Sequence, residues 1–209
     1  MLKFLSFGSG SSGNCYLLYT GTDCLMIDCG VGIRSLKKHF HNYGLQMKMV
    51  HNVLITHDHA DHVKSVGSIS GDLQLPVYTT EDIHRGISQN WCVRRKIDKA
   101  LAMCLAKGEE IKIGEFAVTP FGVPHDSTDC VGYSIVQGGI RFTLVTDCGH
   151  ITEEIAHYIS ISNYLVIEAN HEPEKLEAGP YPRHLKVRIS GPNGHLSNEA
   201  CAEALVSRS

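Results

Sequence analysis

No stretch of this 209-residue chain approaches the ~18–20 consecutive apolar residues that a membrane span requires. The apolar run at the N-terminus, Met1 to Gly8, is too short for a secretory signal. The expectation is a cytoplasmic protein without a membrane partner; the alternative is a secreted, disulfide-bonded chain. The eight cysteines (Cys15, Cys24, Cys29, Cys92, Cys104, Cys130, Cys148 and Cys201) form no C-x-x-C pair, which argues against a zinc ribbon or a thioredoxin-type site. Mostly reduced, buried thiols are expected instead. Neither sign of charge dominates: 19 Lys and Arg against 22 Asp and Glu leave a net charge of −3. There is thus no global basic surface for gripping a polyanion, and a local patch or bound cations would have to serve. The glycine-rich segment Gly8–Gly13 lacks the lysine of a phosphate-binding P-loop and reads as a tight turn. No short-period repeat and no low-complexity linker breaks the chain, so residues 1–209 are expected to form one domain.

Histidine is what the chain has in quantity, with 13 residues. It is the commonest metal ligand and titrates near neutral pH. Hydrophobic residues make up 43% and charged residues 20%, enough for a core and too apolar for disorder. Short apolar runs predict strands at Leu2–Phe7, Cys15–Tyr19, Cys24–Asp28, Asn52–Thr56 and Leu75–Thr79. Further strands are expected at Glu110–Ile113, Phe116–Phe121, Val131–Gln137, Arg141–Thr146 and Tyr164–Glu168. Helical spacing predicts helices over Gly30–His41, Asp61–Val66, Glu81–Gln89, Thr152–Ile159 and Ser197–Val206, the last capped by Ser197. Residues 90–108 carry no clear periodicity, and Asn170–Gly194 reads as a long functional loop with a short helix. Strands, then a helix, then strands again with helices between suit two mixed sheets with helices on their outer faces.

The chemistry concentrates in Thr56-His57-Asp58-His59-Ala60-Asp61-His62. Residues two apart on an extended segment point the same way, so His57 and His59 can share one ion. Asp61 and His62 follow where the chain turns into a helix and can reach a second. Three histidines and two aspartates among residues 57–62 leave little room for an account without a metal.

This H-x-H-x-D-H motif resembles that of the metallo-β-lactamase superfamily of hydrolases. Its other landmarks follow in order. Ile27-Asp28-Cys29-Gly30 resembles the segment whose aspartate braces the metal loop. Val123-Pro124-His125-Asp126 is similar to the segment supplying a third histidine, and Thr146-Asp147-Cys148-Gly149 to that of the bridging aspartate. Gly8–Asn14, Ile167–His171, Gly179–Pro182 and Gly194–Asn198 narrow the resemblance to the YycJ (WalJ) subfamily of nucleases. Glu168 and His195 resemble the glutamate–histidine pair of the RNase Z phosphodiesterases.

The resemblance implies an α/β (α+β) αββα sandwich of two mixed β-sheets with outer helices. It implies two divalent ions, zinc or manganese or iron. His57, His59 and His125 would hold the first, Asp61 and His62 the second, with Asp147 bridging. Asp61 is a candidate to orient the nucleophilic water, and His195, fixed by Glu168, to protonate the leaving group. Asp28 is read as positioning a ligand histidine. Arg183 and Lys186 are candidate contacts to substrate phosphates. The family's last metal-binding histidine, on a strand beyond the final helix, has no counterpart before Ser209. The expectation is therefore a domain lacking the family's C-terminal strands and helix, with a weakened second metal site. The expected activity is phosphodiester or nucleic-acid hydrolysis, including exonuclease action. The same ligands also allow an acyl hydrolase of thioesters or lactones, or an inactive metal-binding domain.

Overall fold

The structure, a computed structural model, describes residues 1–206. The expected domain spans residues 1–209, of which 207–209 fall outside the described residues. Two compact units divide the chain: the first comprises residues 1–106, 112–116 and 127–129, the second residues 107–111, 117–126 and 130 onward.

The first unit is built on a sheet of order β1-β2-β3-β4-β5-β6. Its strands are β1 (Lys3–Gly8), β2 (Cys15–Tyr19), β3 (Cys24–Ile27), β4 (Asn52–Leu54), β5 (Val77–Thr79) and β6 (Ala102–Cys104). β1 to β3 form an antiparallel meander, and β3 to β6 run parallel. Parallel strands covered on both faces read as continuous apolar runs. Leu25, Met26, Ile27, Val53, Leu54 and Val77 are accordingly fully buried. The helices are α1 (Ile33–Asn42), α2 (Ala60–Val63), α3 (Val66–Leu73) and α4 (Glu81–Gln89). α4 starts where Thr80 accepts a hydrogen bond from the Ile83 amide, with Glu81 and Asp82 in the first turn.

The second sheet has the order β11-β10-β9-β8-β7, with β7 at Ile111–Ile113, β8 at Phe116–Gly122, β9 at Val131–Gln137, β10 at Ile140–Val145 and β11 at Tyr164–Ile167. β8, β9 and β10 are antiparallel, and β10 pairs with β11 in parallel. Phe121, Val145, Cys148, Ile155 and Ile159 centre its core. Around it lie α5 (Glu153–Ser160), α6 (Pro173–Ala178), α7 (Arg183–Ile189) and α8 (Asn198–Val206).

Three expectations are corrected. The helix expected over Asp61–Val66 is two helices, because Ser65 turns its hydroxyl to the Val31 carbonyl and α3 begins after it. The unreadable stretch 90–108 holds a 3₁₀ turn at Lys99–Leu101 and the edge strand β6, too short for a periodic signal. The segment 170–194 is not mainly loop; Pro173 and Pro182 start helices α6 and α7 within it. The thiols are mostly buried, as expected: six are, while Cys92 is half-buried and Cys104 exposed.

Candidate metal centre

In the first unit the site grows from the carboxyl ends of two adjacent parallel strands. β3 ends at Ile27 and hands over to Asp28; β4 ends at Leu54 and hands over, through Ile55, to Thr56 and His57. Asp28 takes the left-handed conformation, φ +61°, and its side chain is fully buried. One carboxylate oxygen accepts the Thr56 amide at 2.9 Å; the other accepts His62 Nδ1 at 2.8 Å, and the Thr56 hydroxyl lies 2.9 Å from it. The carboxylate holds the proton on Nδ1, which leaves Nε2 unprotonated and a candidate donor to a metal. The expected positioning role of Asp28 thus has a geometry.

His57, His59 and His62 come together as expected. The His57 ring centroid lies 4.8 Å from that of His59 and 4.0 Å from that of His62. Asp61 and His62 sit in the first turns of α2, with the Asp61 carboxylate 3.8 Å from His62 Nε2. Gly30 makes this turn possible. A Cβ there would stand 1.5 Å from the Asp61 carbonyl oxygen, so only glycine admits the metal loop against the β3 exit. Asp58, between the two ligand histidines, accepts the Thr128 hydroxyl at 2.5 Å and braces the loop from its far side.

The second unit repeats the arrangement with other residues. β10 ends at Val145 and β11, its parallel neighbour, at Ile167. Asp147 and Glu168 therefore leave adjacent strand ends. Asp147 also has positive φ, +48°. His125 follows β8, is buried, and donates Nδ1–H to the Gly194 carbonyl at 3.0 Å, which leaves Nε2, 3.5 Å from Asp126 Oδ1, unprotonated. His125, Asp147 and His195 offer ligand atoms within 4.8 Å of one another. His195 Nδ1 lies 2.7 Å from Glu168 and 3.2 Å from Asp147. The Asp147 and Glu168 carboxylates push its pKa up to about 10. Glu168 is held in turn by the amides of Cys148 and Leu196 at 2.9 and 3.1 Å.

Imidazole nitrogens with fixed tautomers beside carboxylates form a donor set that fits a divalent cation. Cys148 and Cys29, read as packed thiols, are buried. Arg183 stands exposed at the start of α7, and Lys186 donates to the Glu177 carbonyl. Arg188 is ion-paired with Asp126. Two contributors escaped the sequence reading. Asn14 places its amide 2.8 Å from His62 Nε2, and its backbone N–H donates to the Asp61 carbonyl at 2.7 Å. Thr56 ties Asp28 to His57 through its hydroxyl. Asn14 lay within a segment that carried the resemblance; Thr56 had no signal beyond adjacency.

A family model described as a beta-lactamase superfamily domain matches residues 24–207. The chain is 32% identical over 207 residues to exodeoxyribonuclease YycJ of Bacillus anthracis, covering 98% of this chain and 76% of that protein. It is 30% identical over 204 residues to exodeoxyribonuclease WalJ of Streptococcus pneumoniae, with the same coverage of 98% and 76%. The chain belongs to the metallo-β-lactamase superfamily and, within it, to the family of YycJ and WalJ. Among solved structures, zinc-bound PqqB from Methylobacterium extorquens superposes with a TM-score of 0.72 at 19% identity, over 88% of this chain and 68% of that one. That likeness places the chain in the metallo-β-lactamase fold.

Proposed function

We propose that the chain is a metal-dependent phosphodiesterase acting on nucleic acid. His57, His59 and His125 would hold one divalent ion and Asp61 and His62 a second, with Asp147 as a further ligand. Zinc suits this set, as do manganese and iron. When bound, such a pair supplies a hydroxide at neutral pH and offsets charge on the attacking and leaving oxygens. The remaining work falls to side chains. Asp61 accepts a hydrogen bond from the nucleophilic water and fixes its direction. His195 donates Nδ1–H to Glu168 beside Asp147, and as the imidazolium that these carboxylates favour it also carries a proton at Nε2. That proton passes to the leaving alkoxide. Arg183 and Lys186 contact flanking phosphates.

The Glu168–His195 pair carries this reading. An alkoxide leaving from a phosphodiester needs a proton, and a histidine held protonated by two carboxylates provides it. The YycJ and WalJ relatives, named exodeoxyribonucleases, support the same class of substrate. Acyl transfer to water from a thioester has less need of this device, since a thiolate leaves unaided. The test pairs elemental analysis with activity. About two transition-metal ions per chain, lost in His59→Ala, and hydrolysis of oligonucleotides and bis-p-nitrophenyl phosphate are expected. Turnover of thioesters or lactones with neither phosphodiester hydrolysed would overturn the proposal.

A further inference from the structure

The segment between α4 and the 3₁₀ turn takes no part in the metal centre. Residues 90–99 read Asn-Trp-Cys-Val-Arg-Arg-Lys-Ile-Asp-Lys: four cations and one acid, in a chain whose net charge is −3. Trp91 is the only tryptophan of the chain and is 87% exposed. A large indole left in water gives up the burial that would otherwise stabilise the fold.

The segment is nevertheless firmly placed. Val93 is buried, and its amide donates to the Asn90 carbonyl at 3.1 Å. The Asn90 side chain accepts from the Cys92 amide at 2.9 Å. Arg95 lies against α3, where a Cβ on Gly71 would come within 2.2 Å of its guanidinium, and pairs with Asp72 at 2.6 Å. Lys96 donates to the Asn90 carbonyl at 2.7 Å. Arg94 and Lys99 are exposed and have no ion pair among the described residues. The decisive contact is the Asn90 amide, which donates to the Asp58 carbonyl at 2.7 Å. Asp58 lies between His57 and His59. The residue preceding Trp91 is thus bonded directly to the metal loop.

We propose that Trp91 and Arg94 form a landing platform for single-stranded DNA beside the metal loop, the indole stacking on a base and the guanidinium meeting a backbone phosphate. An exposed aromatic with unpaired cations three and eight residues further along the same segment offers the chemistry by which single strands are held without reading sequence. The unpaired strand is specified because a base inside a duplex has no free face for an indole. The choice of a nucleic-acid occupant rests on the phosphodiesterase reading above.

Trp91 is its own reporter, since all tryptophan emission comes from it. Mixing the metal-loaded chain with oligo(dT) should quench that emission at once, and duplex DNA should not. Trp91→Ala should raise the KM for oligo(dT) about tenfold with kcat little changed, and Trp91→Phe should restore most of the loss. Hydrolysis of bis-p-nitrophenyl phosphate, too small to reach the platform, should be unchanged in both variants. Arg94→Ala should lower the slope of log affinity against log salt by about 0.7. Wild-type KM in Trp91→Ala without quenching in the parent chain overturns the platform, while continued phosphodiester hydrolysis leaves the functional reading intact. Quenching by oligo(dT) without hydrolysis of any phosphodiester sinks the functional reading and keeps the platform. Quenching by oligo(rU) but not oligo(dT) overturns DNA as the occupant.

Discussion

Replacing Asp28 by asparagine tests whether the metal centre depends on a residue that touches no metal. Asparagine keeps the size and tolerates the left-handed φ of +61°, so the backbone has no reason to move. What changes is the count of acceptors. The carboxylate receives three donors, the Thr56 amide, the Thr56 hydroxyl and His62 Nδ1–H, at 2.8–3.1 Å. A carboxamide turns one oxygen into an N–H₂ donor. Facing His62, that group drives the imidazole to accept at Nδ1 and moves its proton to Nε2, the nitrogen meant for the ion. Facing Thr56, it opposes the backbone amide inside a fully buried pocket. Either way a charge-assisted hydrogen bond is lost, at a cost of about 1.5–3 kcal/mol. For a chain of this length that lowers Tm by roughly 3–12 °C. Loss of such a positioning carboxylate weakens metal binding by about 10–100-fold. Competition against a chelator of known affinity measures the second effect, and a thermal melt without metal measures the first. Wild-type metal affinity in Asp28→Asn would refute the reasoning, whatever the melt shows, because the tautomer argument allows no such outcome.

Two further predictions follow from the second unit and from the thiols. His195→Ala should slow oligonucleotide hydrolysis by about 10²–10⁴-fold and bis-p-nitrophenyl phosphate hydrolysis far less, since nitrophenolate leaves without a proton; Glu168→Gln should show the same split more weakly, and equal losses on both substrates would remove His195 from the donor role. Burial pushes the thiols of Cys24 and Cys148 up to about 12 from an ordinary value of 9.0. The unfolded chain ionises them first, so their contribution to stability is full below pH 9 and is lost as pH rises from there towards 12, by about 1.4 kcal/mol per pH unit for each. Urea unfolding at pH 8 and pH 10 should show the fall, and Cys148→Ala should reduce it; an equal fall in the variant would count against the buried thiol as its source.

The candidate ligand cluster was legible because metal chemistry is written in residue types at short spacing. Five of six residues from His57 to His62 can bind or orient a cation, and no packing argument competes for them. The strands were legible for a similar reason. Val131–Gln137 is a period-two apolar run with its bounds as expected, and α4 likewise matches Glu81–Gln89. Where the reading failed, the determinant was tertiary. β6 is three residues long and exists only because it pairs with β5. α6 and α7 lie in a segment whose prolines and charges look like a loop until each proline is seen to start a helix. Asn14 acquires its place only when the turn after β1 meets the metal loop.

One sequence feature becomes meaningful only with the backbone in view. Asp-Cys-Gly occurs twice, at 28–30 and at 147–149, once in each unit. Both aspartates follow a strand end and take positive φ, +61° and +48°, a region that costs a non-glycine residue about 1–3 kcal/mol. Both cysteines are fully buried, anchoring the turn from beneath. Both glycines sit where a Cβ would collide with a carbonyl oxygen, that of Asp61 at 1.5 Å and that of Pro192 at 2.1 Å. Both turns also leave a strand whose parallel neighbour ends beside them with a partner side chain, Thr56 after β4 and Glu168 after β11. The strained aspartate is therefore over-determined by its neighbours on each occasion. A strand-end carboxylate in a strained turn is what a positioned ligand or brace requires, since a relaxed turn would let the side chain move away from the cation. The strain recurs at the two aspartates that the proposed mechanism needs most tightly fixed, Asp28 against His62 and Asp147 as a proposed ligand.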